Sequence, residues 1–305
     1  MAQTTSGVTP GASAATALTS VQKIAIAKAL YTNEATRMMP KLVDHYPLKQ
    51  GEYQENIPRF DRVSAAAATE GVDAASPTTI ALNSVNVITG EHVAMVNITR
   101  KLRRQMSEST ANVAGKLLGD ALSRLRETDL LGLFDGFSKT NPGAGNPLGV
   151  HLLRQAVAYL TTENSTSYGA APLPLNAVLH PEQISDIVED LSVTAQTGTA
   201  TYGAGSTYLG DMTSDVIHNH LVGGDKVYGI TVWRHPLITR DSSDDAKGAV
   251  FAKGALALVE SMTPDTWVDT DGSFRADEYG IVGDWRQAEL VDGWGYEIYS
   301  DAAAA

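Results

Sequence analysis

Residues 62–82 read "RVSAAAATEGVDAASPTTIAL" and lie between two segments with strand character. The stretch is mostly Ala, Thr and Ser, too poor in large apolar side chains to build a core. An isolated two-stranded hairpin is marginal in water, so a pale segment of this length needs help. It is either a surface loop or an arm whose second surface comes from elsewhere.

The flanks read as strands. "GEYQENIPRF" alternates as a strand, with Tyr53, Ile57 and Phe60 marking one side. Pro58 cannot donate to a ladder, which places this strand at an edge or an end. "VNVITGEHVAMVNITR" returns as one β segment, rich in β-branched residues from Val93 to Thr99. From about Glu108 to Leu131, apolar residues fall at Val113, Ala114, Leu117, Leu118, Ala121, Leu122 and Leu125, a broad stripe at helical spacing. Ser107 or Ser109 can cap this helix, Gly132 and Gly136 can close it, and it would run roughly 35 Å.

Residues 1–20 are Thr, Ser, Ala and Gly, which predicts a flexible arm and not a secretory signal; Val21 to Tyr31 reads as a short helix. After the turn-rich "NPGAGNPLG" the pattern is mixed. Gly149 to Leu160 reads as a helix and "LPLNAVLH" as a buried strand. Pro181 opens a helix carrying Ile184, Ile187, Val188 and Leu191. "TAQTGTATYGAGSTYLGD" reads as a loop, "KVYGITVWRHP" and "GAVFAKGALALVES" as strands, and the last forty residues as further β-structure. The terminal "DAAAA" reads as a frayed end.

The chain has no cysteine, which excludes disulfides and thiolate metal sites. A formal net charge of −12 argues against a protein whose main task is to grip nucleic acid, and no apolar run approaches a membrane span. His218-Asn219-His220 spells a nuclease motif without its spacing and reads as a helix end or loop. "DTDGSFRADE" places Gly272 too early for a calcium loop and reads as a β-turn, with a surface cation as the alternative. His151, His180 and His235 are isolated in sequence and read as structural. No catalytic, cofactor-binding or metal-ligating set is expected. Arg100, Lys101, Arg103 and Arg104 form a basic cluster that meets phosphate or a partner's acids, or is a solvated first turn.

The order of these segments, above all "TEGVDAASPTTIALNSVNVITGEHVAMVNITRKLRRQMSESTANVAGKLLGDALSRLRETDLLGLFDG", resembles the HK97-type major capsid proteins of tailed double-stranded DNA bacteriophages. "GAVFAKGALALVES" and the Asp-rich strands after it resemble that family's closing segment. The resemblance implies an α+β, non-enzymatic subunit: an N-terminal arm over 1–20, the start of a peripheral domain over 21–51, an extended β-hairpin loop over 52–98, and peripheral domain with a long spine helix over 99–137. A mixed α/β axial domain would span 138–260, and closing peripheral strands and tail 261–305. It assigns intersubunit contact to Arg62, Ala66, Glu70, Asp73 and Pro77, and spine-helix packing to Val113, Leu117, Leu118, Leu122 and Leu125. The implied partners are its own copies in pentamers and hexamers, with scaffolding, portal and cement proteins, around double-stranded DNA bound without sequence preference. No cofactor and no membrane are implied. The implied location is the virion, assembled in the host cytoplasm. An encapsulin-like compartment on the same fold and an α/β enzyme with an unrecognised site are the alternatives.

Some members of that family form lysine–asparagine links from a lysine on the extended loop. Here no lysine lies between Lys49 and Lys101. Boiled particles should therefore run as one band near the 32.3 kDa monomer; a ladder of covalent multimers would overturn this.

Overall fold

The computed structural model describes residues 38–302 apart from 50, 64, 66, 68, 69, 72–79, 81, 106–109, 142, 144, 163–167, 197–225 and 228; for 110–113, 189–196, 226 and 227 it describes the backbone alone. The expected arm over 1–20, the helix from Val21 to Tyr31 and the His218–His220 triplet lie outside the described residues. The chain forms two units, one holding 91–124 and 262–284, the other 38–90, 125–261 and 285–302.

The larger unit begins with α1 (Met39–Leu42) and β1 (Asp44–Pro47), which runs parallel to the start of β9 (Leu256–Asp271) from Asp44↔Ala257 to Pro47↔Glu260. Next come β2 (Gln54–Phe60) and β3 (Leu82–Ile88), an antiparallel ribbon registered from Gln54↔Ile88 to Phe60↔Leu82. Pro58 is tolerated because both strands of a two-stranded ribbon are edges.

A five-stranded sheet, ordered β11-β8-β5-β7-β6, carries the main core. Its strands are β5 (Leu175–Leu179), β6 (Lys226–Val227), β7 (Ile230–Arg234), β8 (Asp245–Ala252) and β11 (Gly295–Asp301). β5 is a short apolar run because it is central and covered on both faces. Helix α4 (Val150–Thr161) presents Leu152, Leu153, Ala156 and Leu160, and α5 (Pro181–Gln196) presents Ile184 and Ile187, to the same core as Leu175, Val232, Val250 and Ile298. Proline at the first position of α5 loses no helical hydrogen bond.

One buried side chain fixes α5 to two strands. Gln183 Nε2 donates to the Ala246 carbonyl at 3.0 Å and to Ser300 Oγ at 2.8 Å, while its Oε1 accepts from the His180 amide at 3.0 Å. Gly248 permits this approach, since a Cβ there would lie 2.8 Å from Gln183 Oε1 and 2.9 Å from the Val178 carbonyl oxygen.

The smaller unit contains most of β4 (Gly90–Thr99), the outer part of β9, the first part of β10 (Ala276–Glu289), α2 (Arg100–Gln105) and most of α3 (Thr110–Leu131). The four-stranded sheet is ordered β1-β9-β10-β4, which makes β4 an edge strand.

Several expectations are corrected. The returning β segment breaks at Thr89: β3 pairs with β2, and β4 belongs to the other sheet. Phe60 points to the opposite face from Ile57 and is exposed, as is Tyr53. "GAVFAKGALALVES" is two strands separated by a 3-10 turn at Lys253–Ala255. The final strand β11 pairs with β8 in the five-stranded sheet instead of completing the other one. The basic cluster is a separate short helix and not the first turn of α3.

The stripe on α3 also divides. Leu118 and Leu122 are buried, at 4% and 5% exposure, while Leu117 and Leu125 are exposed in the single chain. The side chain of Val113 lies outside the described residues. Leu118→Asp should lower stability by roughly 2–5 kcal/mol from the lost leucine alone, with the unpaired charge adding to it. Insoluble or strongly destabilised protein in a denaturant titration is expected; a variant as stable as wild type would show that the site is open to water.

Candidate assembly surfaces

The β2–β3 ribbon has two unlike faces, and its register sets them. Opposed residues share a face. One face carries Ile57, Val85 and Val87, packed on Leu48, Ala257, Val259, Leu290 and Val291. The other carries Ile88, Asn56, Pro58, Ser84 and the directly opposed Phe60 and Leu82. Phe60 and Leu82 are 63% and 61% exposed, and Val63 and Ile80, just beyond the last ladder pair, are also exposed. The ribbon is therefore anchored at its base and apolar on its outward side where it leaves the core.

Its base is tied by charge as well. Arg59 on β2 lies over the Tyr168 ring, 5.3 Å from its centre, and Tyr168 meets Trp294 edge-on at 6.4 Å. Glu289 at the end of β10 is hydrogen-bonded to Asp292, and Asp292 Oδ1 accepts from the Ser138 amide at 2.7 Å. Burial, then the Asp292 charge and the hydrogen bond to it, push the Glu289 carboxyl up from 4.5 to about 7, against the pull of Arg59.

In the smaller unit, the edge strand β4 turns Val93 and Met95 outward on one face. Helix α2 and the β9–β10 turn bring Arg100, Lys101, Arg104 and Arg275 around one open pocket. Arg103 instead pairs with the buried Asp277, which also accepts from Thr270 Oγ1 at 3.2 Å. The turn itself is closed by Asp271, whose Oδ1 accepts from the Ser273 amide at 2.7 Å and the Phe274 amide at 3.0 Å. That is a β-turn of the kind "DTDGSFRADE" predicts. Among the described residues there is no group of three or more His, Asp or Glu placed to hold a metal ion.

The assigned residues are placed as follows. Arg62 and Glu70 are exposed, Glu70 in a turn with Gly71 at φ +79°; Ala66, Asp73 and Pro77 lie outside the described residues. Arg100, Lys101 and Arg104 come together as a cluster, and Arg275, 171 positions after Arg104, joins them. His151 is exposed. His235 is buried against Glu127, with Nε2 and Oε2 3.2 Å apart. Sequence reasoning missed Phe60 and Leu82 as an outward pair, because only cross-strand register places them opposite one another. It missed Glu289 because nothing local marks a carboxyl that a distant turn will bury.

No family model and no curated protein matches the chain. Solved structures do. The capsid of Ralstonia phage GP4 has a TM-score of 0.69 at 10% identity, over 99% of both chains. The capsid of cyanophage P-SCSP1u has 0.63 at 13%, over 90% of this chain and 91% of that one. The chain has the HK97-type capsid fold. The same fold relates it to the holo-SrpI encapsulin complex from Synechococcus elongatus PCC 7942, with a TM-score of 0.62 at 11% identity over 94% and 98% of the two chains.

The folded chain holds the Glu289 proton up to about pH 7, whereas the unfolded chain releases it near 4.5. Its contribution is therefore present below 4.5 and is lost as pH rises through 7. Glu289→Gln keeps the neutral geometry at every pH. The variant should melt close to wild type at pH 5 and above it at pH 8 in paired thermal scans. Equal melting at both pH values would mean that the carboxyl is solvated.

Proposed function

We propose that this chain is a non-enzymatic shell subunit that self-assembles, as pentamers and hexamers, into an icosahedral capsid enclosing double-stranded DNA. The observation that carries the reading is the β2–β3 hairpin. Its inner face is anchored through Ile57 and Val87, while Phe60, Leu82, Val63 and Ile80 leave the core exposed and lead into a tip that cannot make a core of its own. A neighbouring copy that covers this arm stabilises both, and copies related by a closing rotation do so all round a shell. The likeness to phage capsid subunits over about nine-tenths of the chain or more supports the same reading. The net charge of −12 suits a container that must not hold its DNA cargo tightly. In this reading scaffolding, portal and cement proteins are further partners, and the protein is assembled in the host cytoplasm and resides in the virion.

A cellular compartment shell is the second reading, supported by the likeness to the SrpI encapsulin. The two differ in content, DNA or a protein cargo, and analysis of material inside purified particles separates them.

Electron microscopy of the purified protein tests the shell itself: closed particles are expected, and a uniform monomer across salt and concentration would overturn the proposal. Deleting Ala65 to Ala75 removes no buried side chain of the described core. It should leave a folded, soluble subunit that forms no regular shells. In hydrogen exchange, the amides of Val63, Glu70 and Ile80 should exchange quickly in the free subunit and slowly in particles. Normal shells from the deletion, or equal protection in both states, would show that the hairpin is not an intersubunit arm.

A further inference from the structure

The pocket between α2 and the β9–β10 turn encloses about 640 Å³ and is lined by four cations, Arg100, Lys101, Arg104 and Arg275, with Thr99 and Phe274. Among the described residues no acidic side chain lines it. Lys101, Arg104 and Arg275 are exposed, and none of the four has an ion-pair partner among the described residues. The arrangement is costly by itself. Arg100 and Arg104 are like charges four apart on one helix, and Lys101 and Arg104 are like charges three apart. Arg275 has φ +52°, in the left-handed region that side chains with a Cβ avoid, and its carbonyl accepts from the Arg100 amide at 3.0 Å. Backbone strain and unrelieved repulsion at one place mark a geometry kept for something that binds there. An anion relieves the repulsion.

The same chain carries a matching surface. Between Arg62 and Glu91 the only ionisable residues are Glu70 and Asp73, so the charge on this stretch of sequence is purely acidic. Glu70 is exposed in its turn and makes no ion pair among the described residues. A long polyanion would need a cationic track, but the strands flanking the pocket carry Asp269, Asp271 and Glu278. A single carboxylate fits a pocket of this size better. We infer that the pocket of one copy receives the Glu70 carboxylate at the hairpin tip of a second copy. The contact is heterologous, and its charge fixes which copy the arm meets and in what register. The assignment rests on the shell-subunit reading and adds to it the receptor for the arm.

A charge swap tests it. Glu70→Arg and Arg104→Glu, both at exposed positions, should each cut the yield of shells by roughly ten-fold or more, measured by sedimentation and micrographs, because like charges would face each other. The two combined should restore shells toward wild type. Should Arg104→Glu fail by circular dichroism to fold, Lys101→Glu replaces it in the same cycle. Shells from wild type and normal shells from Glu70→Arg would overturn the pocket assignment and leave the shell reading intact. Two folded single variants whose combination fails to rescue would do the same. So would normal shells from Arg104→Glu with reduced DNA content, which would make the pocket a phosphate contact. A wild-type protein that forms no shell would remove the reading on which the assignment rests.

Discussion

A two-stranded ribbon has two faces, and a single chain of this kind can cover only one of them. Ile57, Val85 and Val87 lie on the covered face, over Leu48, Ala257, Val259, Leu290 and Val291. Because side chains alternate strictly along a strand, that anchoring forces Phe60, Leu82 and Ile88 to the other side. A one-residue slip would exchange the faces and expose Ile57 and Val87. The outward apolar pair is thus a consequence of how the base is held, and in the shell-subunit reading it is the surface a neighbouring copy covers. The small residues beyond it let another backbone approach closely, which bulkier side chains would prevent.

The frame that holds the base steady is tied by a few buried polar side chains joining segments distant in sequence. Glu127 on α3 accepts from the Met39 amide at 3.2 Å and faces His235 at 3.2 Å. His235 Nδ1 accepts from the Leu237 amide at 3.2 Å, so its proton sits on Nε2 and points at Glu127. Arg126, next along α3, pairs with Glu260 on β9 and lies over the Trp285 ring, while Trp285 Nε1 donates to Asp129 at 3.2 Å. Each buried group is satisfied by a partner on another element, so each tie also specifies where that element sits. Apolar packing alone would tolerate sliding along the helix; these directional bonds do not.

What could be read from the sequence was what is local. The apolar stripe on α3, the proline opening α5 and the short buried run of β5 are all set by neighbours within a few residues, and they form where the periodicity puts them. Pro58 announced an edge strand for the same reason. Partners in a sheet are not local. The break at Thr89, the choice of β8 by β11 and the opposition of Phe60 to Leu82 depend on strand partners distant in sequence, from 22 residues apart for Phe60 and Leu82 to 56 for Asp301 and Asp245, which alternation cannot encode. Leu117 and Leu125 show a different limit. A stripe records every surface an apolar face will meet, inside the chain or outside it; among its described side chains the single chain buries Ala114, Leu118 and Leu122 and leaves Leu117 and Leu125 exposed. Arg275 joined the basic cluster through a turn closed by Asp271, a geometry that "DTDGSFRADE" announced but whose destination it did not.

The exposed groups on the two units are individually small: Phe60 with Leu82 on the hairpin, Val93 with Met95 on β4, and four cations in one pocket. The acidic balance of the chain opposes indiscriminate association. In the shell-subunit reading this division has a physical use. Weak contacts formed one at a time can dissociate when the register is wrong, while a copy held by several at once gains the benefit of all of them through its raised effective concentration. Directional charge and strand register then reject incorrect neighbours, and apolar burial stabilises the correct ones. A single strongly apolar face would bind more tightly at the first encounter and lose the capacity to correct it. In that reading, spreading the contact over a hairpin, an edge strand and a cationic pocket lets a subunit correct its early contacts and still close a curved surface accurately.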